Sequence, residues 1–213
     1  MIKAMIFDLD GTIGNTVPLC IKAFRKSIEF FMRGRSISDE EIVATFGPSE
    51  EGTIKALIPE HYEEGIKRYL YYYKDLHKEC SEPFDGIVEV IRKLKKKGIV
   101  VAMVTGKGEK TVSITLEQFG MVDLFEWIET GSVMGNRKCE GISFVIEHFN
   151  IKPEETYYIG DAPTDIIAAR DAGVGIISAA WGDKVCLEEL KNLKPDKLFR
   201  TIKEFDEFVS IHF

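Results

Sequence analysis

No stretch of this chain stays apolar for the roughly 18 residues that a membrane-crossing helix requires. The first apolar run, residues 4–7, meets Asp8 too early to serve as the core of a signal peptide. The four cysteines, Cys20, Cys80, Cys139 and Cys186, are scattered and form no CxxC pair. A small disulfide scaffold is thereby excluded, and the expectation is a cytoplasmic protein with reduced thiols. The four histidines, His61, His77, His148 and His212, also stand apart, which argues against a zinc site. Positive charge is in short supply: 28 lysines and arginines face 35 acids, for a net charge of −7. A nucleic-acid binder needs a basic stripe, and an anionic membrane surface would attract one, so neither partner is expected. A small anionic substrate remains compatible, because a local cationic pocket can oppose the global sign. The sequence carries no signal of oligomeric state.

What is present is an ordinary globular composition, 45% hydrophobic and 30% charged, in 213 residues, enough for one domain with an inserted module. Residues 3–7 read as a short buried strand. Between 16 and 82 the pattern is helical throughout. Ile21, Phe24, Ile28 and Phe31 recur at helical spacing, and Gly34 supplies a stop. Ser38 with Glu41 matches a capping box for a second helix. Ser49, Gly52 and Leu57 suggest a third, and "EHYEEGIKRYLYYYKDLHKE" a longer fourth, interrupted only by Gly65. After Pro83 strands and helices alternate. Strands are predicted at 99–104, 127–129, 156–160, 174–179 and 197–200, with helices at 87–97, 110–119, 141–149, from about 163, and through Phe208.

Strands that are apolar on both faces, separated by helices, indicate a parallel sheet covered on both sides. The predicted fold class is α/β, a doubly wound, Rossmann-like parallel sheet with an inserted all-helical cap. The core would comprise residues 1–15 and 83–213, and the cap residues 16–82. The chain shows no internal repeat and no low-complexity tract.

In such sheets ligands bind beyond the carboxyl ends of the strands. The polar residues waiting there can be read directly. The first strand runs into Asp8 and Asp10, the strand at 99–104 into Thr105 and Gly106, and the strand at 156–160 into Asp161, with Asp165 close behind. An isolated Asp-Gly is most often just a turn. Several acids converging on one rim repel one another, and a divalent cation would relieve them; ligands that are all oxygen suit Mg²⁺. Thr105 and Gly106 offer a hydroxyl and free N–H groups to an anion, although a helix cap is an equally good reading of that pair alone. Pro163 fits a first helical position, which puts Asp165 in the favoured first turn. Two Gly-rich stretches carry nothing further. "TGKGEKT" lacks the GK[ST] of a phosphate-binding P-loop, and "GVGIIS" is not a dinucleotide fingerprint. A phosphate set among carboxylates also needs a cation from the protein, for which Lys138 and Lys107 are the candidates.

Taken together, "MIFDLDGT", "VAMVTG", Lys138 in "NRKCEG" and "YYIGDAPTD" resemble, in order and spacing, the motifs of the haloacid dehalogenase superfamily. The likeness covers nearly the whole chain. It is similar to the branch of phosphoglycolate phosphatase-like and β-phosphoglucomutase-like members that carry a C1-type helical cap. The resemblance implies an enzyme. Asp8 would attack phosphorus, and Asp10 would protonate the leaving group and then activate water. Mg²⁺ would be held by Asp8, the backbone carbonyl of Asp10 and Asp161, with Asp165 supporting both metal and Lys138. Thr105 and Gly106 would hold phosphate oxygens, and Lys138 would neutralise charge.

The implied function is a Mg²⁺-dependent phosphatase acting on a small phosphorylated metabolite. A phosphomutase, an inorganic pyrophosphatase and a phosphoacceptor signalling protein are its rivals. Here Lys138-Cys139 stands where many relatives have Lys-Pro, and Asn15-Thr16 where they often have Asp-Ser or Asp-Thr. In the cap, Arg25, Ser49, Glu50 and Lys55 are candidates to face the site, each more simply read as an exposed residue. The aromatics of "RYLYYYKD" are more simply read as packing.

Overall fold

Six strands form one parallel sheet in the order β3-β2-β1-β4-β5-β6. In chain order they are β1 (Ala4–Phe7), β2 (Val100–Val104), β3 (Trp127–Glu129), β4 (Thr156–Gly160), β5 (Gly175–Ala179) and β6 (Lys197–Phe199). The computed structural model describes residues 1–32, 34–183 and 185–213. All six strands lie where the sequence predicts them. The register pairs Ala4 with Val100 on one side and with Thr156 on the other, so β1 sits at the centre. The chain passes from β1 to β2 on one side and later to β4 on the other. This reversal is the topological switch point at which open α/β sheets bind ligands.

Alternation within each strand explains the continuous apolar runs. Met5, Phe7, Val101, Met103, Ile159 and Ile177 face one buried layer. Ile6, Ala102, Val104, Tyr158 and Ile176 face the other. Side chains change face at every residue, so a strand buried on both faces must be apolar at every position. The first layer is closed by α5 (Ile87–Lys96), α6 (Glu109–Gln118) and α10 (Ile202–His212). The second is closed by α7 (Lys138–His148), α8 (Pro163–Asp171) and α9 (Leu187–Asn192).

Between β1 and α5 lie α1 (Val17–Ile28), α2 (Asp39–Val43), α3 (Glu50–Leu57) and α4 (Tyr62–Leu76). They bury an apolar cluster of their own, with Phe24 and Ile28 of α1, Ile54 of α3 and Tyr69 and Tyr73 of α4 at its centre. The Ser38–Glu41 capping box is formed in both directions, at 3.1 and 3.0 Å. Tyr73 also reaches outward: its hydroxyl lies 2.7 Å from that of Thr115 on α6.

Two helices are bounded differently from the sequence expectation, and a third lies outside it. α7 starts at Lys138 rather than Gly141, so Lys138 lies in the first helical turn and not in the loop before it. The Asn136 carboxamide accepts the Lys138 N–H at 3.0 Å and supplies the start that the apolar pattern does not reveal. α10 continues past Phe208 because Val209 is still needed in the core. α9 was not expected at all; it is one short turn and a half that buries only Leu190.

Candidate active site

The three adjacent central strands deliver the polar residues. β1 ends at Asp8, β2 at Thr105 and β4 at Asp161. Beyond β1 the chain turns sharply: Ile13 donates its N–H to the Leu9 carbonyl at 2.9 Å and Gly11 to that of Gly14 at 2.8 Å. Gly11 takes a φ of +77°, and a Cβ there would collide with the Asp161 carboxylate. Position 11 therefore admits little but glycine, for both conformation and space. Gly11→Ala is expected to cost about 1–3 kcal/mol of stability, from backbone strain and displacement of the acid. Denaturant unfolding of the two proteins measures it, and equal stabilities would show that the turn carries no such constraint.

Asp8 is only 4% exposed. One oxygen accepts the Leu9 N–H at 2.7 Å, and the other lies 2.8 Å from Lys138 Nζ. Lys138 Nζ also lies 2.5 Å from Asp165. Asp165 is fully buried, and its second oxygen caps α8 by accepting the Ala162 N–H at 2.9 Å. One side chain thus both caps α8 and contacts Lys138. One carboxylate oxygen from each of Asp8, Asp161 and Asp165 lies within 4.8 Å of the others. Three acids share a single ammonium group. Burial is the main cause that pushes the Asp8 pKa up to about 6, with Lys138 opposing it and Asp165 adding to it. Burial, then Asp165 and Asp8, hold the Asp161 pKa well above the usual carboxylate value. Burial disfavours the charge on Lys138, but Asp165 and Asp8 more than offset that and hold it protonated.

This donor set fits a hard divalent cation. It is all oxygen, without thiolate or imidazole, and it carries negative charge that the single lysine does not neutralise. The Asp10 carboxylate lies apart from the group, since its oxygens are taken by the Thr16 hydroxyl and by Lys107 Nζ, the latter at 3.1 Å.

Thr105 is buried, and its hydroxyl accepts the Lys107 N–H at 3.3 Å. Gly106 adjoins Lys138: a Cβ on it would stand 3.9 Å from Lys138 Cε. Asp8, Asp10, Thr105, Gly106, Lys138 and Asp161 all line one cavity of about 250 Å³. Asp165 is not among its lining residues and acts from behind Lys138.

The chain matches the haloacid dehalogenase-like hydrolase profile over residues 5–179, more than four-fifths of its length and including every one of these site residues. The chain belongs to that family. Family relatives agree along the whole length. A pyrophosphatase PpaX from Halalkalibacterium halodurans is 29% identical over 213 residues, covering 99% of this chain and 98% of the relative. In fold, the chain is similar to a predicted phosphoglycolate phosphatase from Haemophilus somnus, with a TM-score of 0.79, 20% identity and 97% of each chain covered. It is likewise similar to CbbY from Rhodobacter sphaeroides in complex with phosphate, with a TM-score of 0.78, 20% identity and 96% of each chain covered.

The four helices before α5 add residues to this family site that sequence reasoning undervalued. Glu50 and Ser49, expected to be ordinary exposed residues, are 7% and 2% exposed, and Glu50 lines the cavity. Lys55 and Arg25 do not line it; Arg25 pairs with Asp39 on its own helical layer. Of the aromatics in "RYLYYYKD", Tyr69 and Tyr73 are packing residues, as expected, whereas Tyr71 is exposed. Lys107, the rival cation, is fully buried on Asp10 and Glu50 and makes no contact with Asp8. Neither lysine could be chosen from composition.

Proposed function

We propose that this hydrolase is a Mg²⁺-dependent phosphatase that cleaves a small phosphorylated metabolite through an aspartyl-phosphate on Asp8. The observation that carries the reading is the Asp8 carboxylate, buried at the end of the central strand, paired with Lys138 and open to a cavity of about 250 Å³. A carboxylate oxygen of Asp8 forms the new bond to phosphorus as the phosphate–oxygen ester bond breaks. The departing oxygen takes a proton from Asp10. Water then attacks the aspartyl-phosphate and gives its proton to Asp10, which releases inorganic phosphate and regenerates both acids. Thr105 and the Gly106 N–H orient the phosphoryl oxygens, and Lys138 offsets their charge. Mg²⁺, when bound through Asp8, the Asp10 carbonyl and Asp161 with Asp165 in support, would stabilise the negative charge of phosphoryl transfer.

In this reading the helical segment from 16 to 82 is a cap, and residues 1–15 with 83–213 are the catalytic core. The four free cysteines suit a cytoplasmic setting. The test is a screen for phosphate release across phosphorylated metabolites with Mg²⁺, wild type against Asp10→Ala. The expected result is turnover of at least one small phosphate, lowered about 10²–10⁴-fold in the variant. Release that is independent of Asp10 on every substrate would remove its acid–base role.

A second reading, an inorganic pyrophosphatase, is favoured by the full-length likeness to the Halalkalibacterium protein named pyrophosphatase PpaX. Pyrophosphate is therefore one arm of the screen. Conversion of a sugar phosphate to its isomer without free phosphate would point to a mutase instead.

A further inference from the structure

Lys107 is a charged side chain with no exposure at all, an arrangement that proteins rarely maintain without partners. Its ammonium lies 3.1 Å from Asp10 on the core side and 3.2 Å from Glu50 on the helical side. Tyr73 of α4 covers it, with the ring centre 4.4 Å away, and the Cys20 thiol of α1 lies at 3.2 Å. Glu50 in turn is fully engaged. It accepts the Gly108 N–H at 2.6 Å and the Thr111 hydroxyl at 2.7 Å, both at the start of α6. A carboxylate at that position also gains from the helix N-terminus. The helical layer therefore presses one acid onto the core, and that acid helps to hold the lysine that holds Asp10.

We propose that Lys107 is the positioning residue for Asp10, and that Glu50 makes this positioning depend on docking of the helical layer. One Asp10 oxygen is fixed by Lys107 and the other by Thr16, the residue that leads into α1. Lys107 is itself held by Glu50 of α3 and Cys20 of α1, so the first of these restraints depends on both helices being seated. Lys107 acts through Asp10 and has no part in binding the phosphoryl group, which is left to Lys138. Loss of the Glu50 contact leaves the buried Lys107 ammonium with Asp10 as its one carboxylate partner, so the lysine that orients Asp10 is fully restrained only with Glu50 in place.

The inference rests on the acid–base role given to Asp10. Phosphate release by the wild type tests that reading, whereas a double-mutant cycle tests the inference. Lys107→Met, of similar length and without charge, is compared with wild type, with Asp10→Asn and with the double variant, all at saturating Mg²⁺ and with folding checked by thermal unfolding. The expected result is a kcat at least about tenfold lower, KM within about threefold of wild type, and no further loss when Lys107→Met is added to Asp10→Asn. Glu50→Gln, the milder companion if Lys107→Met folds poorly, is expected to lower kcat about threefold with KM unchanged, and to have no effect in the Asp10→Asn background. A raised KM with kcat intact would make Lys107 a substrate-binding group and overturn the proposal. Losses that multiply with those of Asp10→Asn would do the same, as would unchanged kinetics in both variants.

Discussion

Asp8→Asn is expected to reduce phosphate release by about 10⁴-fold or more, the scale on which removing a covalent nucleophile acts, while the protein stays folded. The two halves of this expectation have different physical origins. Asparagine keeps the shape and can still accept the Leu9 N–H that Asp8 accepts at 2.7 Å, so the end of β1 need not rearrange. It also removes one of three crowded acids, and Lys138 keeps its contact with Asp165. Burial already disfavours the ionised form of Asp8. The melting temperature in metal-free buffer should therefore equal or exceed that of wild type. The chemical loss follows because an amide does not form the acyl phosphate, and no other carboxylate stands in the same place. The Asp10 oxygens are occupied by Thr16 and Lys107, and Asp165 lies behind Lys138. The measurement is phosphate release alongside thermal unfolding. A variant that keeps full activity would remove Asp8 as nucleophile, and one that is inactive only because it is unfolded would leave the result attributable to stability.

The strand ends were legible in the sequence because two signals coincide there. A run apolar at every position marks a strand buried on both faces, and an acid or hydroxyl that ends it has no packing reason to be present. Asp8, Thr105 and Asp161 were found this way, and the three strands that deliver them are neighbours in the sheet. Even the three-residue edge strand at Trp127 was visible. Lys138 was reached only through a family likeness, since nothing in "NRKCEG" shows an apolar period and its helix start is supplied by Asn136. The Lys107–Glu50 contact was not legible at all. Each residue alone reads as a surface charge, or as a helix-end acid in the case of Glu50, and the pair forms only when α3 is laid against the start of α6. Gly65 is a similar case. In sequence it interrupts a helix, but α4 runs straight through it, and a Cβ there would press on Ile58 and Ile54 of the neighbouring segment.

Asp161→Asn should change sign with the metal. In metal-free buffer at neutral pH it is expected to melt above wild type, by about 3 °C, which is what roughly 1 kcal/mol gives in a chain of this size. With Mg²⁺ present the order should reverse. The cause is the charge balance at the strand ends, where Asp8, Asp161 and Asp165 face one another over a single lysine. Burial and the two neighbouring acids make ionised Asp161 unfavourable in the folded state, so a neutral isostere relieves the fold. A bound divalent cation inverts this, because it rewards the full set of carboxylates. At a hundredfold excess over its dissociation constant it would add about 2.7 kcal/mol to the wild type, and less to a variant lacking one ligand. The same balance sets a pH dependence. Asp8 has a folded pKa of about 6 against an ordinary 3.8, so the folded state binds more protons between those values. Metal-free wild type should be fully stabilised by this group below about pH 4 and lose that contribution as pH rises through about 6, and Mg²⁺ should flatten the slope. Melting curves of both proteins, with chelator and with Mg²⁺ across this range, separate the contributions. A variant that melts below wild type in chelator would show that Asp161 is not crowded by its neighbours, and one that gains as much from Mg²⁺ as wild type does would show that it is not a metal ligand.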